Sequence, residues 1–140
     1  MDPQTPPSPH LSWNELSCHD GTEYPHMFRN DQTRLPNVIE AFEALRERLG
    51  NKPLVVLSAY RHPAYNKKIG GAPKSQHTEG RALDIRTPKG MKPRELFDIM
   101  VDLSNKTPIR GVGLYKWGCH MDVRPQKRVS LWKDNGVGDI

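Results

Sequence analysis

The feature that most restricts what this chain can become is the stretch Ser75-Gln76-His77-Thr78-Glu79-Gly80-Arg81-Ala82-Leu83-Asp84. It sets an imidazole and a carboxylate seven positions apart, with a glycine between them. Before the glycine the residues read as a loop, and after it, at 82–86, as a strand. Side chains alternate along a strand, so Leu83 and Ile85 share one face while Ala82, Asp84 and Arg86 share the other. Asp84 therefore projects from a strand whose opposite face is apolar.

A later segment, Cys119-His120-Met121-Asp122-Val123-Arg124, repeats that division. His120, Asp122 and Arg124 lie on one face, and Cys119, Met121 and Val123 lie on the other. If the two strands are neighbours, His77, Asp84 and His120 can converge. Two histidines and an aspartate make a three-ligand zinc set with a fourth position open, the arrangement of hydrolytic zinc. A single histidine or strand aspartate is more often a satisfied structural residue than a ligand; the agreement of faces is what raises these three above that background. Asp122, beside His120, has two open roles: general base toward the attacking water, or an outer carboxylate that orients a histidine. Glu79 is the alternative base, with a solvated loop residue as its plainer reading.

The remaining elements follow from periodicity and punctuation. Ser12 and Glu15 have the spacing of a capping box, opening a short helical turn that Asp20-Gly21 and Tyr24-Pro25 close. A helix over 36–49 repeats Val38, Phe42, Leu45 and Leu49 along one stripe, with Gly50 as its stop. The apolar run at 54–58 reads as a buried strand, broken at His62-Pro63, after which one or two helical turns reach Ile69. A second amphipathic helix spans 93–103, with Leu96, Phe97, Met100 and Leu103 inward. Strands at 110–115 and 119–123 flank a turn at Lys116-Trp117-Gly118, and 129–132 suits a last edge strand. This pattern is α+β: a small single domain with a mostly antiparallel sheet and helices packed on one side. Residues 1–10, rich in proline, read as a flexible leader, 11–134 as the domain and 135–140 as a loose tail.

Several function classes fall away. The net charge is +5, but no run of five or more basic residues exists, so a nucleic-acid arm is not indicated. No apolar run is long enough to span a bilayer, and the proline-rich start lacks the regions of a signal peptide. The expected product is a monomer made in a cytoplasm. Cys18 and Cys119 stand outside any CxxC pair and read as two buried thiols rather than a zinc knuckle or a disulfide.

Five segments together carry a family resemblance: Ser58-Ala59-Tyr60-Arg61, Gly70 through His77, Gly80 through Asp84, Gly111-Val112-Gly113-Leu114-Tyr115, and His120 through Arg124. They resemble the M15 family of zinc D-Ala-D-Ala carboxypeptidases and peptidoglycan endopeptidases, and in particular its short bacteriophage and prophage members. The segment Leu11 to Leu16 with Cys18 is also similar to their N-terminal region. The likeness runs from about residue 11 to residue 124. It implies the Hedgehog/DD-peptidase type of fold and one zinc ion held by His77, Asp84 and His120. It further implies that Arg61 binds the carboxylate or polarises the carbonyl of a peptidoglycan stem peptide, a task suited to its forked donors. Ser75 or Gln76 would donate to the oxyanion as it forms. The reaction implied is hydrolysis of a peptide bond involving a D-amino acid, by a carboxypeptidase or a cell-wall endopeptidase such as an endolysin. Such an enzyme would reach the wall by holin-type release or as part of a virion.

One departure stands out. Many M15 enzymes carry the acid–base carboxylate three residues before the last histidine ligand, and here that residue is Trp117. Asp122 is accordingly the expected catalytic base. The competing readings are a zinc-bearing module that binds peptidoglycan without cutting it, or a virion structural component.

Overall fold

The structure is a computed structural model, and it describes residues 5–134. Ten elements follow one another along the chain. They are α1 (Trp13–Leu16), α2 (His26–Arg29), α3 (Leu35–Arg48), β1 (Val56–Ser58), α4 (Pro63–Lys68), β2 (Ala82–Arg86), α5 (Pro93–Leu103), β3 (Gly111–Tyr115), β4 (Gly118–Asp122) and β5 (Ser130–Lys133). The five strands form one sheet in the order β1-β2-β4-β3-β5. The architecture is α+β, as expected.

Three of the four strand pairings are antiparallel, and β5 alone runs parallel to its neighbour β3. The sheet is thus mixed. The β3–β4 hairpin closes through Lys116-Trp117, and Gly118 is the first residue of β4 rather than part of the turn. A Cβ there would clash with the backbone carbonyl of Ile85, so the close approach of β4 to β2 requires glycine.

The alternation legible in the sequence sorts the sheet into two unlike faces. Leu83, Ile85, Cys119 and Met121 point into the core, each at most 2% exposed, where α5 covers them with Leu96, Met100 and Leu103. Behind α5 stands α3, contributing Val38, Phe42 and Leu45 to the same core. Both helices form for the expected reason, an apolar stripe with proline in the first turn, and α3 begins one residue earlier than its periodicity predicts. The capping box of α1 is present: Glu15 N donates to Ser12 Oγ at 3.1 Å, and Ser12 N donates to Glu15 Oε1 at 2.8 Å.

Part of the stretch expected as a leader rests on α3. Ser8 is buried and its hydroxyl donates to Glu43 Oε2 at 2.7 Å, while His10 Nδ1 lies 2.7 Å from Glu43 Oε1. Residues 1–4 and the tail expected at 135–140 lie outside the described residues. Cys18 and Cys119 are both buried free thiols, and burial pushes the Cys119 thiol up to about 12. No helix among the described residues is long and apolar enough to cross a membrane.

Candidate metal centre

The register of β2 against β4 creates the centre. Asp84 is paired directly with His120 and Ala82 with Asp122, so the polar residues of the two strands stand side by side on the face that no helix covers. His77 reaches the same point from the loop before β2. That loop folds back through a chain of turn hydrogen bonds, Thr78 N to Ser75 O, Glu79 N to Gln76 O and Arg81 N to Gln76 O. Gly80, at φ +70°, makes the reversal, and Tyr24 Oη donates to its carbonyl at 2.6 Å.

His77, Asp84 and His120 are buried, and their ligand atoms all lie within 4.8 Å of one another. Each imidazole has its outer nitrogen committed. His77 Nδ1 lies 2.6 Å from the carbonyl of Ala59, which can only accept, so the proton belongs on Nδ1 and Nε2 carries a bare lone pair. That Nε2 is buried, makes no hydrogen bond, and yet stands 3.1 Å from Asp84 Oδ1. His120 Nε2 lies 2.6 Å from Asp122 Oδ2, which directs His120 Nδ1 at Asp84 Oδ1, 3.1 Å away. Electron-pair donors from three side chains therefore face a common point. An arrangement of acceptors without a proton between them is unfavourable unless a cation sits among them. The residues present fit a metal ion, and two imidazoles with one carboxylate fit zinc.

The electrostatics agree. Burial holds the His77 imidazole below its ordinary value, so it stays neutral, as a ligand must. For Asp84 burial acts to raise the carboxyl, but its close contacts with His120 and His77 outweigh it and keep Asp84 ionised. His120 is shifted upward: burial opposes this, and the bonds to Asp122 and Asp84 prevail. In the metal-free protein a proton on His120 can balance the two aspartates, and a bound cation would take over that task.

Asp122 stands behind His120, not in the cleft. Its side chain is fully buried and both oxygens are taken. Arg124 Nη2 donates to Oδ2 at 2.7 Å, and Arg124 Nε and N donate to Oδ1 at 2.8 and 3.2 Å. Burial opposes ionisation, yet these bonds and that from His120 hold the Asp122 carboxyl down at about 2. Of the two roles open from the sequence, this geometry matches the orienting carboxylate, since Asp122 is not among the residues that line the cleft. Glu79, the alternative base, turns away toward Arg34 Nη2 at 2.7 Å and Arg81 Nη1 at 3.5 Å.

Above these three candidate ligands lies a cleft of about 390 Å³. Arg61, Ser75 and Gln76, all expected at the site, line one wall. Arg61 is held in place by Ser58 Oγ at 3.3 Å and Asn66 Oδ1 at 3.2 Å, and its Nη2 lies 3.5 Å from Asp84 Oδ2. Ser75 Oγ accepts from His77 N at 3.1 Å, which leaves its own proton to donate. Gln76 Oε1 is buried without a partner. The facing wall is aromatic. Trp117 stacks on Tyr115 with ring centroids 4.8 Å apart, and Trp132 Nε1 donates to Tyr115 Oη at 2.9 Å. Trp132 also tilts over His120 at 5.2 Å between centroids. Sequence reasoning did not place Tyr115 or Trp132 here. The available signal was glycine: Gly113 is paired with Trp132 across the parallel β3–β5 ladder, and a Cβ on it would come within 2.5 Å of Trp132 Cε2.

Apart from the ligand Asp84, no carboxylate lines the cleft among the described residues. Two further histidines, His19 and His26, lie elsewhere. His19 packs edge-on against Tyr65, and the exposed His26 lies 3.7 Å from Glu23. The family model described as Peptidase M15 matches residues 9–123 of the chain. No curated protein is similar enough to count as a match.

Proposed function

The chain belongs to the peptidase M15 family, and on that premise we propose that it is a zinc-dependent peptidase cleaving bonds to D-amino acids in peptidoglycan. The observation that carries this reading is the buried convergence of His77, Asp84 and His120 in the floor of a cleft whose wall presents Arg61. Zinc bound there would supply Lewis acidity and lower the pKa of a water toward neutrality. The protein's own groups do the rest. The carbonyl of Ala59 fixes the tautomer of His77, and Asp122, clamped by Arg124, fixes that of His120. Arg61 offers a forked cation to a substrate carboxylate or to the scissile carbonyl. The protons of Ser75 Oγ and Tyr115 Oη are free to donate into the cleft, because each oxygen's described hydrogen bond is one it accepts. These are positions where charge developing on a carbonyl oxygen can be met by fixed donors. With the short phage-type members it resembles, we place it as a cell-wall enzyme, carboxypeptidase or endopeptidase, acting after holin-type release or from a virion.

A second reading is favoured by one observation, the absence of any carboxylate beyond Asp84 in the described cleft. On that reading the domain holds zinc and grips peptidoglycan without cutting it. Mass spectrometry of muropeptides released by the zinc-loaded protein separates the two. New termini at D-amino acid bonds are expected. Intact peptidoglycan that retains the protein in a pull-down would establish the binding module instead. Asp122→Asn then assigns that residue. As an orienting group its loss should weaken zinc binding by about 10- to 100-fold. Undiminished zinc affinity with lost cleavage would restore it as the base.

A further inference from the structure

Arg86 occupies the open face of β2 two residues beyond Asp84, about 7 Å along the strand. Beside it lies a second concavity of about 350 Å³, bounded by Lys52, Leu54, Val55, Arg86, Thr87 and Lys89. Its three cations are exposed and no acidic side chain lines it. Several other arginines are partnered: Arg34 with Asp31 and Glu79, Arg48 with Asp102, Arg61 with Asp84, Arg81 with Glu79, Arg94 with Asp98, Arg124 with Asp122. Among the described residues Lys52, Arg86 and Lys89 have no carboxylate within ion-pair distance. Three like charges gathered around one hollow repel one another, and an anion entering it removes that repulsion. Thr87, which lines the hollow, has its Oγ1 buried and without a hydrogen-bond partner.

The concavity is braced against the metal centre. Arg86 N donates to Val55 O at 3.0 Å, and Thr87 N donates at 3.0 Å to the carbonyl of Trp117, whose ring lines the cleft. Arg86 is also paired in register with Gly118. The Trp117 turn thus links the two hollows, since its carbonyl holds Thr87 of one and its ring lines the other. A ligand in extended conformation advances about 7 Å in two residues, the spacing from Asp84 to Arg86.

We propose that Lys52, Arg86 and Lys89 form a subsite next to the cleft, which takes a side carboxylate of an acidic peptide whose scissile bond lies over His77, Asp84 and His120. The proposal rests on the peptidase reading and adds to it the substrate's charge. Leu54 and Val55 give the subsite an apolar floor, suited to a peptide carbon chain carrying the carboxylate rather than to a bare ion.

The test compares two soluble stem peptides, one with free side carboxylates and one with those carboxylates amidated, on the zinc-loaded full chain. Wild type should show a lower KM for the acidic form. In the triple variant Lys52→Gln/Arg86→Gln/Lys89→Gln that preference should fall about tenfold, a few-fold for each exposed charge, with kcat within about twofold. Equal KM values for both peptides in wild type would overturn the proposal. If neither peptide is cut, the peptidase reading fails separately, and titration of the ¹⁵N-labelled protein still reads the subsite. Shifts at Arg86, Thr87 and Lys89 with the acidic peptide, and none with the amidated one, would uphold it. The same shifts with poly(glycerol phosphate) but not with the acidic peptide would overturn it in favour of a phosphate polymer.

Discussion

The two faces of the sheet are written by the same ten residues of β2 and β4, yet they behave as different materials. One face, Leu83, Ile85, Cys119 and Met121, is sealed by α5 and holds no charge. The other, Asp84, His120 and Asp122, is buried too but is built of groups that water would solvate well. On the first face stability comes from removing apolar surface from water. On the second every polar atom must be matched, and an unmatched one that reaches it from the preceding loop, His77 Nε2, marks where a ligand belongs. Burial alone does not distinguish a core from a site; satisfaction of polar atoms does.

That contrast can be broken most sharply with one substitution on each side. His77→Ala should reduce zinc affinity by on the order of 100-fold or more, above the loss from an outer partner, while Ile85→Ala leaves it within a few-fold. Metal content after dialysis checks this, and wild-type content in His77→Ala would remove that residue from the ligand set. Chemical denaturation of the metal-free proteins should show the reverse order. Ile85→Ala should cost about 3 kcal/mol as a core cavity, and His77→Ala, which loses one hydrogen bond, about 1 kcal/mol.

A subtler intervention uses the backbone. Gly111 is paired with Asp122, and a Cβ at that position would lie 2.6 Å from Asp122 Cγ. Gly111→Ala should therefore cost about 1–3 kcal/mol as overpacking. It should also weaken zinc binding by about tenfold, because Asp122 can no longer hold His120 Nε2. Zinc affinity equal to wild type would separate Asp122 from the centre.

The smallest effect is expected far from both faces, where Glu43 ties Ser8 and His10 to α3. Burial acts to raise the Glu43 carboxyl, but the bonds from His10 and Ser8 prevail and its value in the folded protein is lowered. A lowered folded value means that the stabilisation is present above the ordinary glutamate value near 4.3 and is lost as pH falls through the folded one. Amide protection at residues 8–12 should decline below about pH 4, by less than about 1 kcal/mol for so exposed a pair. Glu43→Gln should lower that protection at neutral pH and abolish its acid dependence.

Much of this was legible because β-strand periodicity is a local property. Ala82–Arg86 and Pro93–Leu103 have the expected limits, and the opposite orientations of Asp84 and Ile85, or of His120 and Met121, follow from alternation alone. The candidate ligands Asp84 and His120 could be paired for the same reason, His77 joined them from the loop, and the family resemblance added Arg61, Ser75 and Gln76 as expectations for the wall. The parallel course of β5 was not, since strand direction depends on which edge of the sheet stays open, and that is settled by the whole chain. Nor was the aromatic wall, because Trp132 arrives from the far end of the sheet over Gly113.

What the residues determined by themselves is a sheet with one apolar and one polar face, and a histidine–aspartate–histidine set able to gather on the polar one. Only the tertiary structure decided what the neighbouring charged groups do. Asp122 and Glu79 are both carboxylates close in sequence to a ligand, and each is drawn away from the cleft by an arginine, Arg124 for one and Arg34 for the other. A carboxylate goes to the strongest donor within reach: for Glu79 that donor comes from a segment distant in the chain, and for Asp122 it stands two residues further along the chain.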